Sequence, residues 1–149
     1  MIPERRDRVR AHSPSDANRE IWERIEISIR HHAAHPEKIA GRLAELDREW
    51  DVERVLETNA ATISLAGIGL AAAHDRRWLV LPAAVAGFLL QHALHGWCPP
   101  IPIIRRLGVR TAHEIEIERM ALKALRGDFD EVAGAPYQAR AAMDAAVAF

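Results

Sequence analysis

The densest run of titratable and nucleophilic side chains in this sequence is Gln91-His92-Ala-Leu-His95-Gly-Trp-Cys98. His92, His95 and Cys98 recur every third residue, while Gln91, His95 and Cys98 follow at spacings of four and three, near one face of a helix. If that helix turns back on a preceding one, Glu57, Thr58, Asn59 and Thr62 stand opposite it. Imidazole, thiolate and carboxylate are zinc-compatible ligands, which makes His92, His95, Cys98 and Glu57 the candidate metal set. Spacing of three is looser than the usual i, i+4 helical histidine pair, and neither a metal nor a cofactor is expected. The same side chains read more simply as groups that join two helices, each pair contributing on the order of 1 kcal/mol or less. Cys98 is also the candidate catalytic residue, because a protonated histidine beside it would favour the thiolate. Burial near lipid would act the other way, and a thiol of ordinary reactivity is expected. His31, His32 and His35 form a second cluster, expected to be a solvated turn. No glycine-rich phosphate loop, serine nucleophile motif or calcium-loop spacing occurs, and a single cysteine excludes disulfide and CxxC chemistry.

The elements that must position Cys98 and its histidines are almost uncharged. Residues 1–57 carry 11 Lys/Arg and 13 Asp/Glu, and residues 105–149 carry 7 of each. Between them only Asp75, Arg76 and Arg77 are charged, which leaves two windows, Thr58–His74 of 17 residues and Trp78–Ile104 of 27. A hydrocarbon core needs about 20 helical residues, with about 17 at the lower limit. The windows therefore read as two membrane spans joined at Asp75–Arg77. The apolar part starts near residue 58, which does not fit a secretory signal peptide. Ala60, Ser64, Gly67 and Ala71 share one helix face, and Ala84 and Gly87 begin a similar face on the second helix. Small residues let helices approach closely where the hydrophobic effect cannot drive association. On this basis Gly67→Leu should push the helices apart and Gly67→Ala should cost much less. Trp78 and Trp97 bracket the second span as interfacial anchors. Arg48, Arg54, Arg105, Arg106 and Arg110 flank the pair, against Arg76 and Arg77 in the connection, so both termini are expected in the cytoplasm.

Four stretches follow: an unstructured terminus at 1–14, cytoplasmic helices at 15–57, a membrane hairpin at 58–104 ending in a Cys-Pro-Pro segment, and cytoplasmic helices at 105–149. Ser15 can cap a helix over 16–33 with Ile21, Trp22, Ile25 and Ile29 on one face. Pro36 suits the first turn of the next helix, with an apolar stripe of Ile39, Leu43, Leu46 and Trp50. That stripe implies helix-on-helix packing, with a membrane-surface helix as the alternative. The prolines of Cys98-Pro-Pro-Ile-Pro102 point to an extended path. Thr111-Ala-His-Glu114 has the form of a capping box for a helix that ends near Arg126-Gly127. Pro136 can open a short tail helix.

Trp50-Asp-Val-Glu-Arg-Val-Leu-Glu-Thr-Asn-Ala60, the small-residue hydrophobic segment after it, Gly96-Trp-Cys-Pro99 and Leu107-Gly108 resemble the YgaP-like transmembrane domain family. These are small two-helix domains of the bacterial inner membrane, some of them fused to a rhodanese. The resemblance covers residues 50–108 and implies an inner-membrane location. The chain departs from the family in the extra residues between Pro99 and Gly108 and in its long helical extensions. No rhodanese domain accompanies it, so sulfurtransferase activity is not implied. The expected fold is all-α, a two-helix transmembrane hairpin with amphipathic helical extensions at both ends. The expected role is structural or accessory, with the lipid bilayer, a membrane protein or a second copy as partner. A persulfide carrier acting through Cys98 and a soluble helical interaction domain are the alternatives. A net charge of −1 gives no global field for nucleic acid, and none is expected to bind.

Overall fold

Asp51 caps the longest helix: its side chain accepts a 2.7 Å bond from the Arg54 N–H, satisfying a donor that would otherwise be orphaned. The computed structural model describes residues 8–147. Among them the chain is all-helical, with no strand. The helices are α1 (Arg8–Ala11), α2 (Ser15–Ala34), α3 (Ile39–Leu46), α4 (Val52–Ala73), α5 (Val80–His95), α6 (Ile101–Arg106), α7 (Ala112–Arg126) and α8 (Gln138–Val147). Single turns at Pro36–Lys38 and Arg76–Leu79 lead into α3 and α5. The chain divides into two compact units, Met1–Glu20 with Trp50–Ala112 and Ile21–Glu49 with His113–Phe149.

In the first unit, the cap at Asp51 starts α4 well before residue 58. Its 22 residues at about 1.5 Å each reach roughly 33 Å, where the uncharged window alone reaches only about 25 Å. Asp75 caps the turn that follows, accepting a 2.8 Å bond from the Arg77 N–H. α5 ends at Gly96, whose φ of 76° is left-handed and whose N–H bonds the His92 carbonyl at 2.7 Å. The second span closes there, and the chain resumes as α6. The expected extended path through the prolines is corrected. Pro100 and Pro102 occupy the start of α6, where a missing N–H leaves no helical bond unmade. Of the terminus expected to be unstructured over 1–14, Arg8–Ala11 is helical and buries Val9, while 12–14 have no helix; residues 1–7 lie outside the described residues. Val9, Val52, Leu56, Cys98, Ile101 and Ile104 form the core of this unit. Arg105 is buried beside them and donates to the Asn18 side chain at 2.8 Å and the Val109 carbonyl at 3.1 Å.

The second unit packs Ile39, Leu43 and Leu46 of α3 against Ile115 and Leu122 of α7. Trp50 does not join that stripe. α3 ends at Leu46, and Trp50 is exposed with the Arg54 guanidinium 4.4 Å from its ring centre. Glu118 of α7 is buried and accepts from Arg42 Nε at 2.9 Å, a second Arg42 nitrogen at 3.2 Å and the Ser28 hydroxyl at 2.5 Å. Lys123 is buried too and donates to the Ala146 carbonyl of α8 at 2.7 Å.

Candidate functional site

The side chains that meet around Cys98 are set by the contact of α4 with α5 and α6. Ala60 and Gly67 are buried and Ser64 and Ala71 half-buried, whereas the other residues between 61 and 72 are exposed. The small-residue face of α4 is therefore the face it turns to its neighbours. A Cβ placed on Gly67 would stand 2.7 Å from Pro82 Cδ and 3.2 Å from Leu81 Cβ. The answering face of α5 is not the expected one. Ala84 and Gly87 are exposed, and a Cβ on Gly87 would meet nothing within 4 Å. Leu81, Pro82, Val85, Leu89 and His92 are the half-buried positions, at spacings of one, three, four and three. The bulky side chains of α5 close over the small ones of α4, a complementarity that two small faces would lack.

Between α4, α5 and α6 lies an apolar groove of about 500 Å³ that holds Cys98. Among the described residues Asn59 is the only other polar side chain on its wall. Cys98 is buried in a core of aliphatic side chains, and that burial pushes its thiol up from the ordinary cysteine range. Low dielectric disfavours the thiolate, and no cation offsets it. The expected balance between histidine and burial therefore falls on the side of burial.

The polar residues expected to face one another mostly satisfy themselves. Asn59 donates to the Val55 carbonyl at 2.9 Å and Thr62 to the Thr58 carbonyl at 2.8 Å, each within α4. Glu57, Thr58, Thr62, Gln91 and His95 are exposed, while His92 is half-buried. Among the described residues no three His, Cys, Asp or Glu gather closely enough to hold a metal ion, so His92, His95, Cys98 and Glu57 are not brought together as a ligand set. Arg8 donates to the Ala93 carbonyl at 2.6 Å, tying α1 to α5. No periodicity in the sequence signals that contact; in the fold, the hydrogen bond and the close seat of Gly96 against the Arg8 backbone show it.

In the second unit, the rings of His31 and His35 stack with centres 4.5 Å apart, and His32 meets His31 edge-on at 5.2 Å. His31 and His32 border an open cleft of about 730 Å³ whose wall also carries Arg24, Lys38, Arg42, Glu37 and Glu45. His32 is held by the Ser28 carbonyl at 2.7 Å and is buried rather than solvated.

No protein-family model, no curated protein and no solved structure matches this chain.

Proposed function

We propose that this protein is a small integral membrane protein of structural or accessory role, in which α4 and the Arg76–His95 helix form a hairpin through the bilayer. Both are long and apolar enough to cross a membrane. The observation that carries the proposal is where their apolar surface goes. In the most apolar 18 residues of Val52–Ala73 only 17% are buried within the chain, and in those of Arg76–His95 none are. A core helix of a soluble protein buries its apolar residues against its own chain. Ile63, Leu65, Ile68, Phe88, Leu90 and Leu94 instead point outward, which suits lipid and leaves a large apolar patch in water. Small residues on α4 against bulky ones on α5 give the close packing that association in lipid requires.

The arginines around the hairpin favour termini on the cytoplasmic side. The second unit, α8 included, would then be the part that the anchor presents to a partner or to another copy. The likeness of Trp50-Asp-Val-Glu-Arg54 and Gly96-Trp-Cys-Pro99 to YgaP-like domains supports a bacterial inner membrane as the site. A buried Cys98 thiol held in its neutral form works against a persulfide carrier, and Cys98 is assigned a packing role.

Fractionation of cells, followed by an alkaline carbonate wash of the membranes, tests the proposal. The protein is expected to stay in the pellet. Release into the soluble fraction would overturn the hairpin in favour of a soluble helical domain.

A further inference from the structure

We infer, building on the membrane reading above, that α6 is an interfacial helix that lays Ile103 and Leu107 into lipid hydrocarbon beside the two spans. One face of α6 is fixed by the protein: Ile101 and Ile104 belong to the core with Val52 and Leu56, and Arg105 is buried. That leaves the opposite face outward. Ile103 is 65% exposed and Leu107 76%, four residues apart and so on one side of the chain. Both line the same groove as Ile63 of α4 and Phe88 of α5, which are exposed themselves. The apolar surface of α6 thus continues the lipid-facing surface of the spans, and hydrocarbon is the occupant that covers both at once. Arg106 lies exposed between the two aliphatics. Its charge complements anionic headgroups, and its stem is long enough to reach them from an apolar helix face.

The start of α6 carries the inference further. A helix ordinarily begins with four N–H groups that have no partner in the helix, and water satisfies them. Here Pro99, Pro100 and Pro102 have no N–H at all. The remaining donors are bonded to backbone carbonyls: Ile101 to Cys98 at 3.0 Å, Ile103 to Pro100 at 3.1 Å and Ile104 to Pro100 at 3.0 Å. This helix start asks nothing of water. At the edge of hydrocarbon, where each unsatisfied donor costs several kcal/mol, that is the required chemistry.

The test is nitroxide accessibility in the full chain, reconstituted in vesicles of phosphatidylethanolamine with a minority of phosphatidylglycerol. Cys98 is removed as Cys98→Ala, or left in place if that variant fails to fold, since its burial keeps it unlabelled. Labels go on Ile103→Cys and Leu107→Cys, with Ile63→Cys as the reference within a span and Glu45→Cys as the reference in water. Collision with oxygen, which concentrates in lipid, is compared with collision with a water-soluble nickel chelate. The expected result is an oxygen-to-nickel ratio at 103 and 107 several-fold above that at 45 and close to that at 63. If 63 reads as lipid while 103 and 107 read as water, α6 is not interfacial and the hairpin stands. If 63 also reads as water, the membrane reading fails and the inference with it. If labels at 103 show spin–spin broadening that dilution with unlabelled protein removes, a second copy covers α6, and the lipid assignment is overturned.

Discussion

Gly67 sets how closely α4 and α5 approach. Its missing Cβ would stand 2.7 Å from a carbon of the Pro82 ring, and a proline ring cannot swing aside as the tip of a long side chain can. Even a single added methyl must therefore displace something, so alanine has a cost of its own there. Gly67→Ala should lower stability by about 1–3 kcal/mol through overpacking, and Gly67→Leu by more. Gly69→Ala and Gly87→Ala add a methyl where nothing lies within 4 Å, so they should be neutral or gain up to about 1 kcal/mol from helix propensity. Thermal unfolding in detergent separates these outcomes, and equal effects at 67 and 87 would contradict the packing described. Cys98 gives a second prediction at this scale. Burial raises its pKa, so the neutral thiol persists to higher pH than in a free cysteine. Alkylation should be slow at neutral pH, with its midpoint above the free-cysteine value of about 8.5. A midpoint below it would restore the carrier reading.

The second unit is organised by a charge pair that links elements. Glu118 of α7 is fully buried and shared by Arg42 of α3 and Ser28 of α2. Its hydrogen bonds hold the Arg42 guanidinium above its already high ordinary range, so Arg42 stays charged. Removing Arg42 takes a cation from a buried carboxylate, which the Ser28 hydroxyl does not replace: Arg42→Met should cost up to about 3–5 kcal/mol. Arg42→Met with Glu118→Leu should recover much of that loss, because two apolar side chains leave no buried charge. Denaturant midpoints of the three proteins measure the coupling. At the end of α7, Arg126 donates to both Asp128 carboxylate oxygens, at 2.7 and 2.6 Å, around a left-handed Gly127. The Arg126 hydrogen bond lowers the Asp128 pKa. A depressed carboxylate contributes stability that is complete above the unfolded pKa and is lost as pH falls through the folded one. Amide protection in the last turn of α7, taken relative to the intrinsic exchange rate at each pH, should therefore fall on acidification below the ordinary aspartate range. In Asp128→Asn it should already be lower at neutral pH and lack that acid dependence.

The whole chain is proposed to place its two hydrophilic ends on one side of a bilayer and Asp75–Arg77 on the other. Fluorescent-protein fusions at either terminus should then be bright, and alkaline phosphatase fused there inactive. Phosphatase inserted at Asp75 should be active. The reverse pattern would keep the spans but invert the orientation, and a phosphatase inactive at all three positions would contradict a hairpin that crosses the membrane.

Helical character, the two uncharged windows, the small-residue face of α4 and the stop at Arg126-Gly127 were all readable in the sequence. Each depends on neighbours within a turn or two: a period, a cap, a glycine, a run without charge. The cap at Asp51 and the helical use of Pro100 and Pro102 are local signals too, but the prolines admit either an extended path or a helix start. Packing of Ile101 and Ile104 against Val52 and Leu56 decides for the helix. The tertiary structure alone showed that Leu81, Pro82 and Val85, rather than Ala84 and Gly87, meet α4, because a helix with apolar residues all round carries no mark of which side is covered. It alone paired Arg42 with Glu118 across 76 residues and closed aliphatic side chains around Cys98. Partners so distant in sequence are chosen by shape and by the cost of leaving a charge unpaired, and neither is written in the spacing of residues along the chain.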